Sequence, residues 1–200
     1  MLAKKTSKNQ LTLPKEVADK FPGTDYFDVR VEGRVGSLSV RMGSGDVWFE
    51  EVDGDVTLKS GSGDVAGGTL TGDLTTHGAS GDVTVARVGG SLVARTASGD
   101  LLVGEVGGAV QATTVSGDLE IRSLGGPKAE LRSVSGDVEV GVPVGRGVYL
   151  DLSSTSGDVR SDLDSAPTPP DGPDLDLAVS TVSGDVHVRR APASTPAPRP

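Results

Sequence analysis

The chain of 200 residues has no cysteine, six aromatic residues and no long apolar run. Without cysteine there is no disulfide framework, no thiolate chemistry and no zinc site of the cysteine type. No stretch approaches the roughly 18 apolar residues of a membrane-spanning helix. Met1–Leu13 alternates lysine with polar residues and lacks the pattern of a secretory signal. On these absences the sequence predicts a soluble, cytoplasmic protein. The aromatics are unevenly placed: Phe21, Tyr26, Phe27, Trp48 and Phe49 precede residue 50, and then none occurs until Tyr149. Ordinary globular cores lean on large rings, so the middle hundred residues need another kind of interior.

Negative charge is in excess, with 28 Asp and Glu against 19 Lys and Arg, a net charge of −9. Its distribution is asymmetric. Five lysines and two acids give residues 1–20 a charge of +3, which leaves −12 for the remainder. A basic head on an acidic body speaks of partners rather than of fold.

What the chain has in abundance is glycine, 29 residues, and it is periodic. Glycine falls every nine residues from Gly36 to Gly126, and Ser-Gly-Asp begins at 44, 62, 80, 98, 116, 135, 156 and 183. Repeats of this length mark a solenoid, a propeller or an array. After each Gly-Asp the third and fifth places are apolar, as in Gly81-Asp82-Val83-Thr84-Val85 and Gly117-Asp118-Leu119-Glu120-Ile121. That alternation is strand periodicity, and the intervening Gly-Asp or Gly-Gly is turn chemistry. A propeller blade needs roughly 40 residues. The pattern therefore predicts a mainly β chain, a parallel β-solenoid of about eight 18-residue coils, each of two short strands and two turns. Coils stacked about 4.8 Å apart would make a rod on the order of 40 Å long. Its interior is one layer of Val, Leu, Ile and Ala with no room for rings.

The repeat lengthens near Gly126-Pro127, Pro143–Gly147 and Ser165–Pro173, each about nine residues past a Ser-Gly-Asp. All three excesses thus fall on one edge of the rod and leave the other regular. Loops gathered on one face of a repeat protein are often its binding face, although surface loops also simply tolerate insertion.

Stacking aligns Asp46, Asp64, Asp82, Asp100, Asp118, Asp137, Asp158 and Asp185 along the regular edge. Neighbouring carboxylates at about 4.8 Å repel by roughly 0.9 kcal/mol even in water. Two readings offset this. One is capping, in which glycine takes a positive φ and the Asp and Ser side chains accept local backbone N–H groups. The other is Ca²⁺ bound between coils, as in nonapeptide solenoids, whose Gly-Gly-x-Gly-x-Asp motif is only half present here. Catalysis by paired carboxylates requires a singular pair, whereas these recur evenly, and His77 and His187 lie about six coils apart. The sequence predicts no enzyme and no obligatory cofactor.

Residues 27–190, through the Ser-Gly-Asp-Val repeats, Val140-Gly141-Val142-Pro143 with Tyr149-Leu150-Asp151-Leu152, and Thr181–Val186, resemble the bacterial adhesin-like or toastrack β-strand-repeat family. The resemblance implies a β-solenoid without known catalysis, with roles in envelope-associated sensing, adhesion or scaffolding.

Residues 1–26 break the repeat. Gln10–Leu13 reads as a strand and Pro14–Phe21 as a short helix with proline in its first turn. Lys5-Thr6-Ser7-Lys8-Asn9-Gln10-Leu11-Thr12-Leu13-Pro14-Lys15 with the strands that follow resembles the swapped-hairpin DNA-binding domain of the AbrB, MazE and SpoVT regulators and antitoxins, over residues 1–43. That resemblance implies a homodimer, with Lys4, Lys5, Lys8 and Lys15 on phosphates and Ser7, Asn9 and Gln10 near base edges. The other reading is that this head caps the open end of the solenoid, whose bare edge would otherwise pair with another chain. The two compete for residues 27–43, which also fit the solenoid register. Residues 191–200, with four prolines, read as a disordered tail. The leading expectation is a non-enzymatic interaction scaffold meeting a protein or envelope-associated partner on its looped edge. The alternative is a DNA-binding regulator carrying the rod.

Overall fold

Glycine at each turn and paired apolar residues between turns produce a chain that is strand almost everywhere it is not turning. The computed structural model describes residues 28–163 and 174–191, and among these no helix occurs. In chain order the strands are β1 (Val29–Val35), β2 (Leu38–Ser44), β3 (Val47–Val52), β4 (Val56–Ser62), β5 (Val65–Leu70), β6 (Leu74–Gly78), β7 (Val83–Val88), β8 (Leu92–Ser98) and β9 (Leu101–Val106). They continue as β10 (Val110–Ser116), β11 (Leu119–Leu124), β12 (Lys128–Arg132), β13 (Val138–Val142), β14 (Val148–Ser156), β15 (Val159–Ser161), β16 (Leu175–Ser183) and β17 (Val186–Arg190). Odd and even strands build separate sheets, every pairing is parallel, and partners are mostly 18 residues apart, as in Val83↔Leu101 and Leu74↔Leu92. This is the two-faced parallel β-solenoid that the nine-residue glycine period predicts.

The sheets face each other across one aliphatic layer. Strands β3, β7, β9 and β11 send in their first, third and sixth residues (Val83, Val85 and Val88 in β7), and β4, β6, β8 and β10 their first and third (Leu92 and Ala94 in β8). A fully buried Val or Leu contributes about 1.5–3 kcal/mol. Because a rung touches only its neighbours, that stabilisation accumulates rung by rung.

The expectation that no ring enters this layer fails at one place. Phe49 is fully buried, and the position stacked on it in β5 is Gly67. A Cβ on Gly67 would lie 2.2 Å from the Phe49 ring, so the space the ring fills is what the glycine leaves. Trp48, next in sequence, points outward with the Arg30 guanidinium 4.9 Å from its ring centroid. The ring is admitted by a small neighbour, not by a wider coil.

The order of the last rungs departs from the order of the sequence. The odd sheet ends β11-β13-β17-β15 and the even sheet β10-β12-β16-β14. After β13 the chain skips a place, lays down β14 and β15 as the outermost rung, and returns to insert β16 and β17 in the gap. Five residues, 143–147, make the outward step. Two rungs are about 9.6 Å, well within the roughly 17 Å that five extended residues span. Burial accounts for the arrangement. Leu175, Leu177, Val179, Val186 and Val188 of β16 and β17 are buried, whereas β15 is three exposed residues, Val159-Arg160-Ser161. A short, charged strand is the better end for an open sheet.

At the other end the competition for residues 27–43 is resolved in the described part. β1 pairs with β3 (Val29↔Val47, Val31↔Phe49) and β2 with β4 (Leu38↔Val56, Val40↔Leu58). These strands are rungs of the solenoid, the register that residues 27–43 were expected to fit.

Candidate interaction surfaces

The Ser-Gly-Asp turns form one edge of the rod. Their glycines have positive φ, as at Gly45 (123°), Gly81 (114°) and Gly99 (119°), a region that side chains rarely enter. Stacking adds a second constraint: a Cβ on Gly99 would lie 2.2 Å from the Gly81 carbonyl oxygen of the preceding rung.

The aspartates bond between rungs, where capping within each turn was expected. The backbone N–H groups of Asp64, Asp82 and Asp100 donate to Oδ1 of Asp46, Asp64 and Asp82 at 2.9 Å each. Asp118 and Asp137 continue the series onto Asp100 and Asp118 at 2.8 Å. Asp185 then donates to Asp137 at 2.7 Å, and Asp158 to Asp185 at 2.8 Å, in the swapped order. A hydrogen bond to a charged group is worth about 1.5–3 kcal/mol, more than the roughly 0.9 kcal/mol by which adjacent carboxylates repel. Each bond occupies Oδ1, and the aspartates stay exposed. Among the described residues no three His, Asp or Glu side chains are grouped to hold a metal ion. His77 and His187 lie on different sheets, and His187 Nε2 sits 2.8 Å from Asp162 Oδ2.

Three features of the two edges escaped sequence reasoning. Asp28, 18 residues before Asp46 but outside any Ser-Gly-Asp, begins the ladder by accepting the Asp46 N–H at 3.3 Å. Asp55 and Asp73 form a shorter ladder on the opposite edge, accepting from Asp73 N–H at 2.9 Å and Ser91 N–H at 2.7 Å. A column of hydroxyls lies behind the Ser-Gly-Asp turns. Ser60, Thr96 and Thr114 donate to the carbonyls of Ser62, Ser98 and Ser116. Ser154 and Thr181 reach the Gly184 and Gly136 carbonyls. The signal for that column is a Ser or Thr two residues before the Ser-Gly-Asp, visible at 60, 96, 114, 133, 154 and 181.

The lengthened turns between β11 and β12 and between β13 and β14 collect on the opposite edge, and the third insertion, at 165–173, lies outside the described residues. Arg146, which no motif singles out, organises them. Its guanidinium donates to the Gly125 carbonyl, to the Gly126 carbonyl at 3.1 Å and to the Asp174 carbonyl at 2.7 Å. Asp174 in turn accepts the Gly147 N–H at 2.9 Å. The 143–147 loop is thereby fastened to both the rung it leaves and the strand that fills the gap. Beside Arg146, Val144 stands 76% exposed, and Tyr149 is 59% exposed.

On the faces, ion pairs join neighbouring rungs of the odd sheet. Arg34 pairs with Glu51 and Asp53, and Arg87 with Glu105 at 3.3 Å. The Glu51 hydrogen bond, with the charges of Asp53 and Glu51, raises the Arg34 pKa above its ordinary value.

Lys4, Lys5, Ser7, Lys8, Asn9, Gln10 and Lys15 lie outside the described residues, as do Phe21, Tyr26 and Phe27 and the 164–173 and 192–200 segments. Comparison with curated proteins and with solved structures gives no match. The toastrack DUF4097 family model matches residues 2–189, a span that includes the segment resembling AbrB, and no AbrB-type domain is shown. Punctuated by Ser-Gly-Asp, built of two parallel sheets and matched from the second residue to the last strand, the chain belongs to the toastrack DUF4097 family.

Proposed function

We propose that this protein is a non-enzymatic scaffold, a rigid β-solenoid that holds a partner-binding edge at fixed spacing. One observation carries the reading: the described lengthened turns lie on one edge, while the other repeats one triplet bonded rung to rung. On the regular edge the aspartate Oδ1 atoms are committed to holding the stack, beside the exposed Val115, Val134 and Val182. The looped edge instead carries variable residues, among them the exposed Val144 and, following β14's start, Tyr149. Exposed apolar groups on an ordered loop suit contact with a protein or an envelope-associated partner. The absence of a singular pair of carboxylates in the repeats supports a binding role over a catalytic one.

The test is site-specific photo-cross-linking of the full chain in its native cells. A photoreactive residue at Val144 is compared with one at Ser98, on the regular edge. Adducts of defined mass formed from position 144 and lost on Val144→Asp would support the reading. Leaving aside adducts of the chain with itself, equal labelling from both positions, or adducts from position 98 alone, would refute it.

A further inference from the structure

Between them, the first five strands of the even sheet carry basic residues and no acidic ones. β1, β3, β9 and β11 carry Glu32, Glu50, Glu51, Glu105 and Glu120, whereas β2, β4, β6, β8 and β10 contain neither Asp nor Glu. On those five strands the register aligns Arg41, Lys59, His77 and Arg95 in one row across consecutive rungs. Arg41, Lys59 and Arg95 are exposed, and among the described residues none of the four forms an ion pair. Three fixed cations about 4.8 or 9.6 Å apart repel one another, and nothing on their own face compensates them. The flanking rows are short: Ser39, Thr57 and Thr75 on one side, Gly43, Gly61, Ala79 and Ala97 on the other. The basic side chains therefore stand clear above the sheet.

We propose that this row receives the Ser-Gly-Asp edge of a second copy of the chain. The occupant follows from spacing as well as sign. A row of cations repeating at the rung distance is matched over its whole length only by anions of the same period, and the aspartate ladder has that period by construction. An extended peptide repeats same-side charges at about 6.6–6.8 Å and misses the adjacent Arg41–Lys59 spacing by about 2 Å, whereas the ladder meets every place in the row. The ladder is also free for the contact: its carboxylates are exposed, and only Oδ1 of each is occupied from within. Face and edge are different surfaces of one molecule, so the contact is heterologous and propagates side by side without closing. The inference is independent of any partner on the looped edge.

Sedimentation of the full chain tests it. In about 0.01 M salt, where the screening length is about 30 Å, the weight-average mass rises at least about twofold with concentration; in about 1 M salt, at about 3 Å, it returns to the high-salt baseline. Arg41→Glu/Lys59→Glu/Arg95→Glu removes the low-salt rise. So does replacing all eight Ser-Gly-Asp aspartates by asparagine, in which each amide oxygen still accepts the N–H of the next rung. Mixed one to one, the two variants form heterodimers that grow no further, because each retains one half of the contact. Unchanged circular dichroism and melting verify that both variants are folded, and a milder Arg41→Gln/Lys59→Gln/Arg95→Gln replaces the first if it is not. A wild-type mass indifferent to salt, association that survives in either variant, or a mixture without heterodimers would overturn the proposal.

Discussion

The backbone N–H of Asp158 donates to Oδ1 of Asp185 at 2.8 Å, although Asp158 precedes Asp185 by 27 residues. Everywhere earlier in the ladder the donor is the later residue. This reversal marks the rung that the chain builds last yet places second from the end. The chain thus closes its own stack with the less apolar strands outside and the more apolar ones protected.

Because the protein has no cysteine, cross-linking can verify the rung order directly. Ser135 aligns with Ser183, and Ser183 with Ser156. Ser135→Cys/Ser183→Cys and Ser156→Cys/Ser183→Cys should each oxidise to a disulfide, since adjacent rungs lie within its reach. Ser135→Cys/Ser156→Cys should not, being about 9.6 Å apart. Serial stacking would give the opposite result for the third pair.

Asp100 separates hydrogen bonding from charge in the ladder. Asp100→Ala leaves the Asp118 N–H without its acceptor and should cost about 1–2 kcal/mol. Asp100→Asn keeps an oxygen in place and relieves repulsion from Asp82 and Asp118, so its stability should stay within about 0.5 kcal/mol of wild type. Thermal melts would show the difference as about 2–4 °C per kcal/mol in a chain of this size.

Two glycines with positive φ should respond differently to alanine. At Gly33, φ is 77° and a Cβ meets nothing within 4 Å, so only backbone strain of about 1–2 kcal/mol is added. At Gly99 the strain is joined by overlap with the Gly81 carbonyl, and a loss of about 3 kcal/mol or more is expected. Denaturant melts of Gly33→Ala and Gly99→Ala would compare them.

Gly67→Ala carries no φ penalty and tests packing alone. Its methyl group would meet the buried Phe49 ring, and overpacking costs about 1–3 kcal/mol. Adding Phe49→Leu should recover part of that loss, a coupling that a double-mutant cycle measures.

Arg146→Ala removes the donor that ties the 143–147 loop to Gly126 and Asp174. Hydrogen exchange should accelerate across β14 and β15, by up to about a hundredfold for about 2–3 kcal/mol of local stability, with β3–β9 unaffected. Arg146→Lys should not restore protection, because one ammonium cannot reproduce the planar fork.

The solenoid was legible because its causes are local. Glycine every nine residues and apolar residues at the third and fifth places specify turn, strand and inward face without reference to anything distant. Asp28 and the hydroxyl column were harder to see, since each departs from the triplet that draws the eye. Arg146 was illegible: its role depends on a carbonyl 20 residues behind and another 28 ahead.

By itself, then, the sequence determined the period, the parallel stacking, the aspartate edge and the edge that accepts insertions, all consequences of spacing along the chain. Tertiary structure alone decided the order of the last rungs and the anchoring of the 143–147 loop by Arg146. These depend on which rung lies beside which. Neighbours in a stack are chosen by burial and by satisfied backbone groups, not by succession along the chain.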